Sequence, residues 1–81
     1  MYPYWNNIIL IYNAGNDRTV SLPAVALNPD RNLTVKKMDA GNTLIIDGNA
    51  SETIDGATSK SLTTDGEVAR LHCTGTEWVL L

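Results

Sequence analysis

The side chains best equipped for covalent chemistry in this chain are its single histidine and its single cysteine, and they are neighbours, His72-Cys73. A thiolate–imidazole pair needs the sulfur and a ring nitrogen within hydrogen-bond reach and a third group to orient the ring. The surrounding residues Val68-Ala69-Arg70-Leu71-His72-Cys73 alternate as a β-strand does, and adjacent residues of a strand project to opposite faces. Ala69, Leu71 and Cys73 then share one face, and Val68, Arg70 and His72 the other. Cys73 is expected to fill the core as a small apolar residue and His72 to lie at the surface, so the two are not read as a catalytic pair.

Other polar constellations fail on spacing or on room. Asp47, Asn49 and Ser51 open like a calcium loop, but the sixth position holds Glu52 where such a loop turns on glycine, and the twelfth holds Thr58 where it needs a bidentate glutamate. Asp47, Glu52 and Asp55 could be paired glycosidase carboxylates, yet 81 residues leave no space for a cleft with subsites. Lys36 and Lys37 are strand neighbours projecting to opposite faces, not a basic patch. One cysteine and one histidine exclude an internal disulfide and a nitrogen–sulfur zinc site, and there is no Walker-type phosphate loop. The expectation is a protein that is not an enzyme and has no metal or cofactor.

The aromatic residues are the remaining functional candidates, because they gather at the two ends of the chain: Tyr2, Tyr4, Trp5 and Tyr12 near the start, the first three before the first strand, and Trp78 near the finish. Trp78, within a terminal strand, is read as packing in the core or between subunits in preference to docking. Tyr2-Pro3-Tyr4-Trp5 supports two readings equally, an arm folded back on its own sheet and an anchor inserted into a partner. Tyr2, Tyr4, Trp5 and Trp78 are therefore the candidate attachment residues.

The elements that must position these groups are all strands. Short β-branched runs near Ile8–Tyr12, Thr19–Leu22, Leu33–Met38, Thr43–Asp47, Lys60–Thr63, Glu67–Cys73 and Glu77–Leu81 alternate with clusters of Gly, Asn, Asp and Ser, and no stretch reads as a helix. The clusters suit tight connections between antiparallel strands. Leu22–Pro29 is different, since Pro23 and Pro29 withhold ladder amides, and it reads as a crossing or edge segment. The pattern predicts an N-terminal arm, residues 1–7, and a single β module, residues 8–81. The module is expected to be all-β, a small antiparallel β-sandwich, barrel-like or β-prism fold. Leu44-Ile45-Ile46 and Trp78-Val79-Leu80-Leu81 offer apolar side chains to both faces, which calls for cover from another subunit. A chain this short also needs such help to outweigh its ordering entropy, and oligomerisation is the supplement its composition leaves.

The formal charge of −3 and the pI near 4.7 lack the basic footprint of a nucleic-acid binder. The longest apolar run, Ile8–Tyr12, is far short of a bilayer span, so neither nucleic acid nor a membrane is an expected partner. A hydrophobic content of 43% argues against disorder.

Several segments together resemble a known family. Thr19-Val20-Ser21-Leu22-Pro23-Ala24, Leu33-Thr34-Val35-Lys36-Lys37-Met38-Asp39, Asn42-Thr43-Leu44-Ile45-Ile46-Asp47-Gly48, Ser51-Glu52-Thr53-Ile54-Asp55-Gly56-Ala57 and Gly75-Thr76-Glu77-Trp78 resemble a β-structured module of bacteriophage virion proteins, found in tail fibres, tailspike-associated regions and capsid decoration proteins. The resemblance covers about the last three quarters of the chain. It implies a non-enzymatic structural role and a homotrimer in which strands of three chains complete one another's sheets. A module standing alone fits a capsid decoration or cement protein, made in the host cytoplasm and bound in many copies to the major capsid protein or another virion protein on the exterior of the particle. The alternative it implies is a receptor- or glycan-binding module of a tail fibre or baseplate, with a host-surface glycan as partner.

Overall fold

Hydrophobic alternation sets where the strands lie, and seven form: β1 (Asn6–Ile11), β2 (Arg18–Ser21), β3 (Asn32–Lys37), β4 (Leu44–Asp47), β5 (Ser59–Leu62), β6 (Val68–Cys73) and β7 (Trp78–Leu80). They are seen in a computed structural model that describes residues 6–12, 15–39 and 41–81, with side chains from Ile8 onward. Each expected strand is present to within two residues at either end. The boundary expected between an arm and the module falls inside an element, because Asn6 and Asn7 already pair with Asn32 and Leu33. One turn of 3-10 helix, Val25–Leu27, interrupts the proline-bounded segment that was expected to contain no helix.

The strands make two sheets, one of four strands in the order β1-β3-β6-β7 and one of three in the order β2-β4-β5. Their pairing corrects the expectation of an antiparallel module, for both sheets are mixed. β1 runs parallel to β3 and β2 parallel to β4, while β3–β6, β6–β7 and β4–β5 are antiparallel. The glycine-rich links after β1 and β3 thus do not close hairpins but carry the chain from one sheet to the other. Register explains the arrangement: Asn6 lies beside Asn32 and Arg18 beside Leu44, a step of 26 residues in each case. β1 and β2 belong to one coil, β3 and β4 stack on it as a second, and the sequences Asn13-Ala14-Gly15-Asn16 and Asp39-Ala40-Gly41-Asn42 recur at the same step. Gly15 and Gly41 both take positive φ, 94° and 96°, which a residue with a Cβ resists. Arg18 N–H donates to Thr43 C=O, and Asp17 Oδ1 accepts from Thr43 N–H, so the two turns are tied to each other. β5 and β6 return along the second coil in the opposite sense.

Between the sheets lies one core of Leu22, Val25, Leu33, Val35, Leu44, Ile46, Ile54, Leu62, Ala69, Leu71, Cys73 and Trp78. Leu22–Pro29 crosses from one sheet to the other, and the Trp78 indole N–H donates to Pro23 C=O at 3.4 Å, which anchors that crossing to the last strand. At the β7 end the core is closed by the motif Ser51-Glu52-Thr53-Ile54-Asp55-Gly56-Ala57. Ile54 is buried and bridges both Ala57 and Trp78, Trp78 N–H donates to Thr53 C=O, and Asp55 N–H donates to Trp78 C=O. The acidic side chains of this region satisfy backbone amides: Glu52 accepts from Val25 N–H, Asp55 from Leu80 N–H, and Glu77 from Gly56 N–H.

Candidate functional site

Alternation delivers the two most reactive side chains to opposite sides of β6. Cys73 is wholly buried, with its thiol 3.5 Å from Val25 C=O, whereas His72 lies on the outer face of the four-stranded sheet. The His72 ring has its own partners there. Its Nδ1 is 2.7 Å from Asn32 Oδ1, and Nε2 is 3.8 Å from Asp30 Oδ1. Asparagine and aspartate are thus the ring's polar neighbours, and Cys73 lies on the other side of the sheet. The strand geometry therefore separates the groups that covalent catalysis would have to join.

The two lysines are likewise divided, as alternation requires. Lys36 is outward and partly exposed; Lys37 is completely buried on the inner face, and its ammonium donates to Asp39 C=O. Asp47, Glu52 and Asp55 do not converge, the last two being spent on backbone amides as described, and among the described residues no group of three or more His, Cys, Asp or Glu could hold a metal ion. Glu67 caps the β5–β6 turn. Its carboxylate accepts from Thr64 N–H and Thr63 N–H at 3.0 and 2.9 Å, and these bonds hold it below its ordinary pKa of 4.5 against the opposing effect of desolvation, with the Lys60 and Lys37 charges adding smaller effects in the lowering direction.

The surface that stands out instead is apolar. On the outer face of the four-stranded sheet Ile8 and Leu10 are 71% and 48% exposed, and Val68 of β6 is 44% exposed. Ile8 and Val68, with Thr34 and Arg70 between them and Leu81 at the margin, line one shallow depression. Tyr12 and Leu81 extend the exposed apolar area at 61% and 78%. Isolated apolar residues at a surface need no explanation, but a group gathered on one sheet face is a candidate interaction surface. These residues were not among the attachment candidates read from the sequence. The signal was present in Ile8–Tyr12: an uninterrupted apolar run in a strand must place alternate members outside, and only a strand covered on both faces hides them.

Of the aromatic candidates, Trp78 is fully buried in the core, where its indole is used by Pro23, so it is withdrawn as an attachment residue. Tyr2, Tyr4 and Trp5 lie outside the described residues. The two-faced character expected of β4 and β7 is partly moderated: Leu44 and Ile46 are buried, Ile45, Val79 and Leu80 are half-buried, and Leu81 is open. Comparison of the whole chain with protein-family models, with characterised proteins and with solved structures returned no match.

Proposed function

We propose that this chain is a non-enzymatic structural protein of a bacteriophage particle, placed on the exterior as a capsid decoration or cement protein and acting through assembly. The observation that supports an assembly role most directly is the exposed apolar surface of Ile8, Leu10, Val68 and Leu81 on one face of one sheet. The resemblance of the Ser51–Ala57 and Gly75–Trp78 segments to virion modules supplies the phage context, and the fold gives those segments a structural task, closing one end of the core. The proposed partners are further copies of the chain, as a homotrimer packed through this face, and the major capsid protein beneath them. Apolar contact repeated at many symmetric sites would hold capsomers together without turnover, since avidity multiplies modest individual contacts.

A second placement, as a structural module of a tail fibre or baseplate, is favoured by one specific feature. Coils that stack in parallel along one axis are suited to building an elongated shaft. Copy number separates the two. On a quantitative gel of purified particles, hundreds of copies per particle support decoration, a handful supports the fibre or baseplate, and absence from the particle overturns both. A glycan array tests receptor binding separately; with Trp78 buried, Tyr12 is the exposed aromatic side chain among the described residues.

A further inference from the structure

The two ends of the coil stack are finished differently. At one end β7 is an edge strand, but the 53–57 loop covers it: Trp78 N–H, Trp78 C=O and Leu80 N–H are all bonded to Thr53 or Asp55. The outer edge of β5 carries Lys60, which lies in register with inward-facing Ile46, and an inward-pointing charge on an edge strand discourages further pairing. At the other end lie the outer edges of β1 and β2. No described residue pairs with either of them. Residues 6–12, Asn-Asn-Ile-Ile-Leu-Ile-Tyr, contain neither charge nor proline. The core is open there as well, since Ile9, Ile11 and Val20 pack against it yet are only partly buried.

The phase of the ladders fixes which backbone groups face outward. Met38 N–H donates to Ile11 C=O, so Ile11 and Ile9 direct their peptide groups to β3, and Ile8 and Leu10 direct theirs away. Arg18 N–H and Leu22 N–H donate to β4 and its margin, so Thr19 and Ser21 direct theirs away. Both outward sets are symmetric, about Ile9 in β1 and about Val20 in β2. An antiparallel copy of each strand can therefore use every outward group: Ile8 pairs with Leu10 of the copy, and Thr19 with Ser21 of the copy.

We infer that two copies of this chain join end to end through the open coil, β1 against β1 and β2 against β2 about one two-fold axis, continuing both sheets across the junction. A second copy is the occupant that these observations specify. It brings the same uncharged β1 edge, the same hydrogen-bond phase in both strands at once, and Ile9, Ile11 and Val20 to close the half-open core. The junction does not depend on the phage reading and leaves the outer face of the four-stranded sheet free. If that face also trimerises the chain, the two-fold joins two trimers head to head.

Sedimentation equilibrium of the intact chain tests the inference, with an even multiple of 8.8 kDa expected. In Thr19→Pro the outward N–H is removed while the bonds to β4 stay, so self-association at the junction should weaken by about a hundredfold, whereas Val68→Thr, on the outer face two strands away from the β1 edge, should leave it intact. A wild-type monomer, an odd multiple, or a wild-type mass that Thr19→Pro does not reduce would overturn the inference. Should Thr19→Pro fail to fold, Ile9→Cys decides. The two Ile9 positions form a non-hydrogen-bonded antiparallel pair with Cα atoms about 4.5 Å apart, within disulfide range, and buried Cys73 does not compete. Mild oxidation should link Ile9→Cys and Val20→Cys chains into covalent dimers and leave Val68→Cys chains unlinked. Failure of both edge positions to cross-link refutes the junction.

Discussion

Gly48 ends β4 at the point where the chain turns into the closing motif, and its replacement by alanine tests whether that motif is a rigid clamp. A Cβ built on Gly48 would overlap the Glu52 carbonyl oxygen and lie 2.9 Å from the carbonyl carbon, both of them backbone atoms. The turn cannot move aside freely. Glu52 N–H donates to Asn49 C=O, the Glu52 carboxylate holds Val25 N–H, and Thr53 C=O holds Trp78 N–H. Shifting Glu52 by about 1 Å, enough to restore van der Waals contact, gives up the first two bonds and leaves the amide of buried Val25 without its partner. At about 1 kcal/mol for the exposed bond and about 1–3 for the buried amide, Gly48→Ala should cost about 2–4 kcal/mol. In a domain of this size that corresponds to a fall of about 10–25 °C in Tm. The control is Gly56→Ala, where φ is +84° but no atom lies within 4 Å of the added Cβ, so only conformational strain of about 1 kcal/mol is expected. Thermal unfolding followed by circular dichroism, at one fixed chain concentration, measures both. Equal melting temperatures for the two variants, or Gly56→Ala melting lower, would refute the clamp.

Cys73 should react with a thiol reagent only on unfolding, and rapid labelling of the native protein would contradict its placement between the sheets. Lys37→Met should leave Tm unchanged or raise it, because among the described residues the buried ammonium donates to a neutral carbonyl, Asp39 C=O, and methionine is only one atom shorter; a fall of more than about 5 °C would show that the charge is better compensated than this contact indicates. The Glu67 carboxyl is held below 4.5 in the folded chain, so its stabilising effect is fully present above that value and is lost as pH falls through the folded-state pKa. The gap in Tm between wild type and Glu67→Ala should therefore be constant from neutral pH down to about 4.5 and close in more acid solution, and a gap independent of pH would exclude the capping role. Deleting residues 2 to 5 separates attachment from folding: lost binding to undecorated particles with unchanged Tm supports an anchoring arm, a lowered Tm supports a segment packed on its own sheet, and no change in either excludes both.

Strand positions were legible because burial on one face leaves period-two alternation in the sequence. Val68–Cys73 is the clearest case, giving Cys73 inside and His72 outside. Pairing was not legible from the same signal. The Gly-Asn links after β1 and β3 contain the residues that tight hairpins use, and positive φ at Gly15 and Gly41 serves a turn between sheets as well as one within a sheet. What distinguishes the two is long-range: the 26-residue recurrence of Ala-Gly-Asn, which aligns β1 with β3 and β2 with β4. The site was partly legible for the same reason. Trp78 carries its aromatic surface inward, where β7 borders the closing motif, and Ile8 and Leu10 point outward because they alternate with the core-packed Ile9 and Ile11, on a face that no described element covers. Neither fact follows from residue type alone.

The acidic residues show how a motif that invites a chemical reading can be absorbed by architecture. Glu52, Asp55 and Glu77 cluster in sequence or space near Ile54, yet each accepts a backbone N–H that strand pairing leaves over: Val25 in the crossing segment, Leu80 on the edge of β7, Gly56 in the turn. Glu77 also accepts from the Thr53 hydroxyl at 2.9 Å, so one carboxylate binds both sides of the loop. A buried or edge amide without a partner costs more than a typical bond gains, which makes these side chains necessary to finish the β7 end of the stack. Among the described residues, the outer edges of β1 and β2 have no comparable set. β1 offers no carboxylate or lysine, and the outward peptide groups of Ile8 and Leu10 stand beside an apolar, half-open core. The β7 end of the sheets is closed by side chains that take up its spare amides, while β1 at the other end carries no charge, and this polarity is the feature on which the proposed end-to-end junction rests.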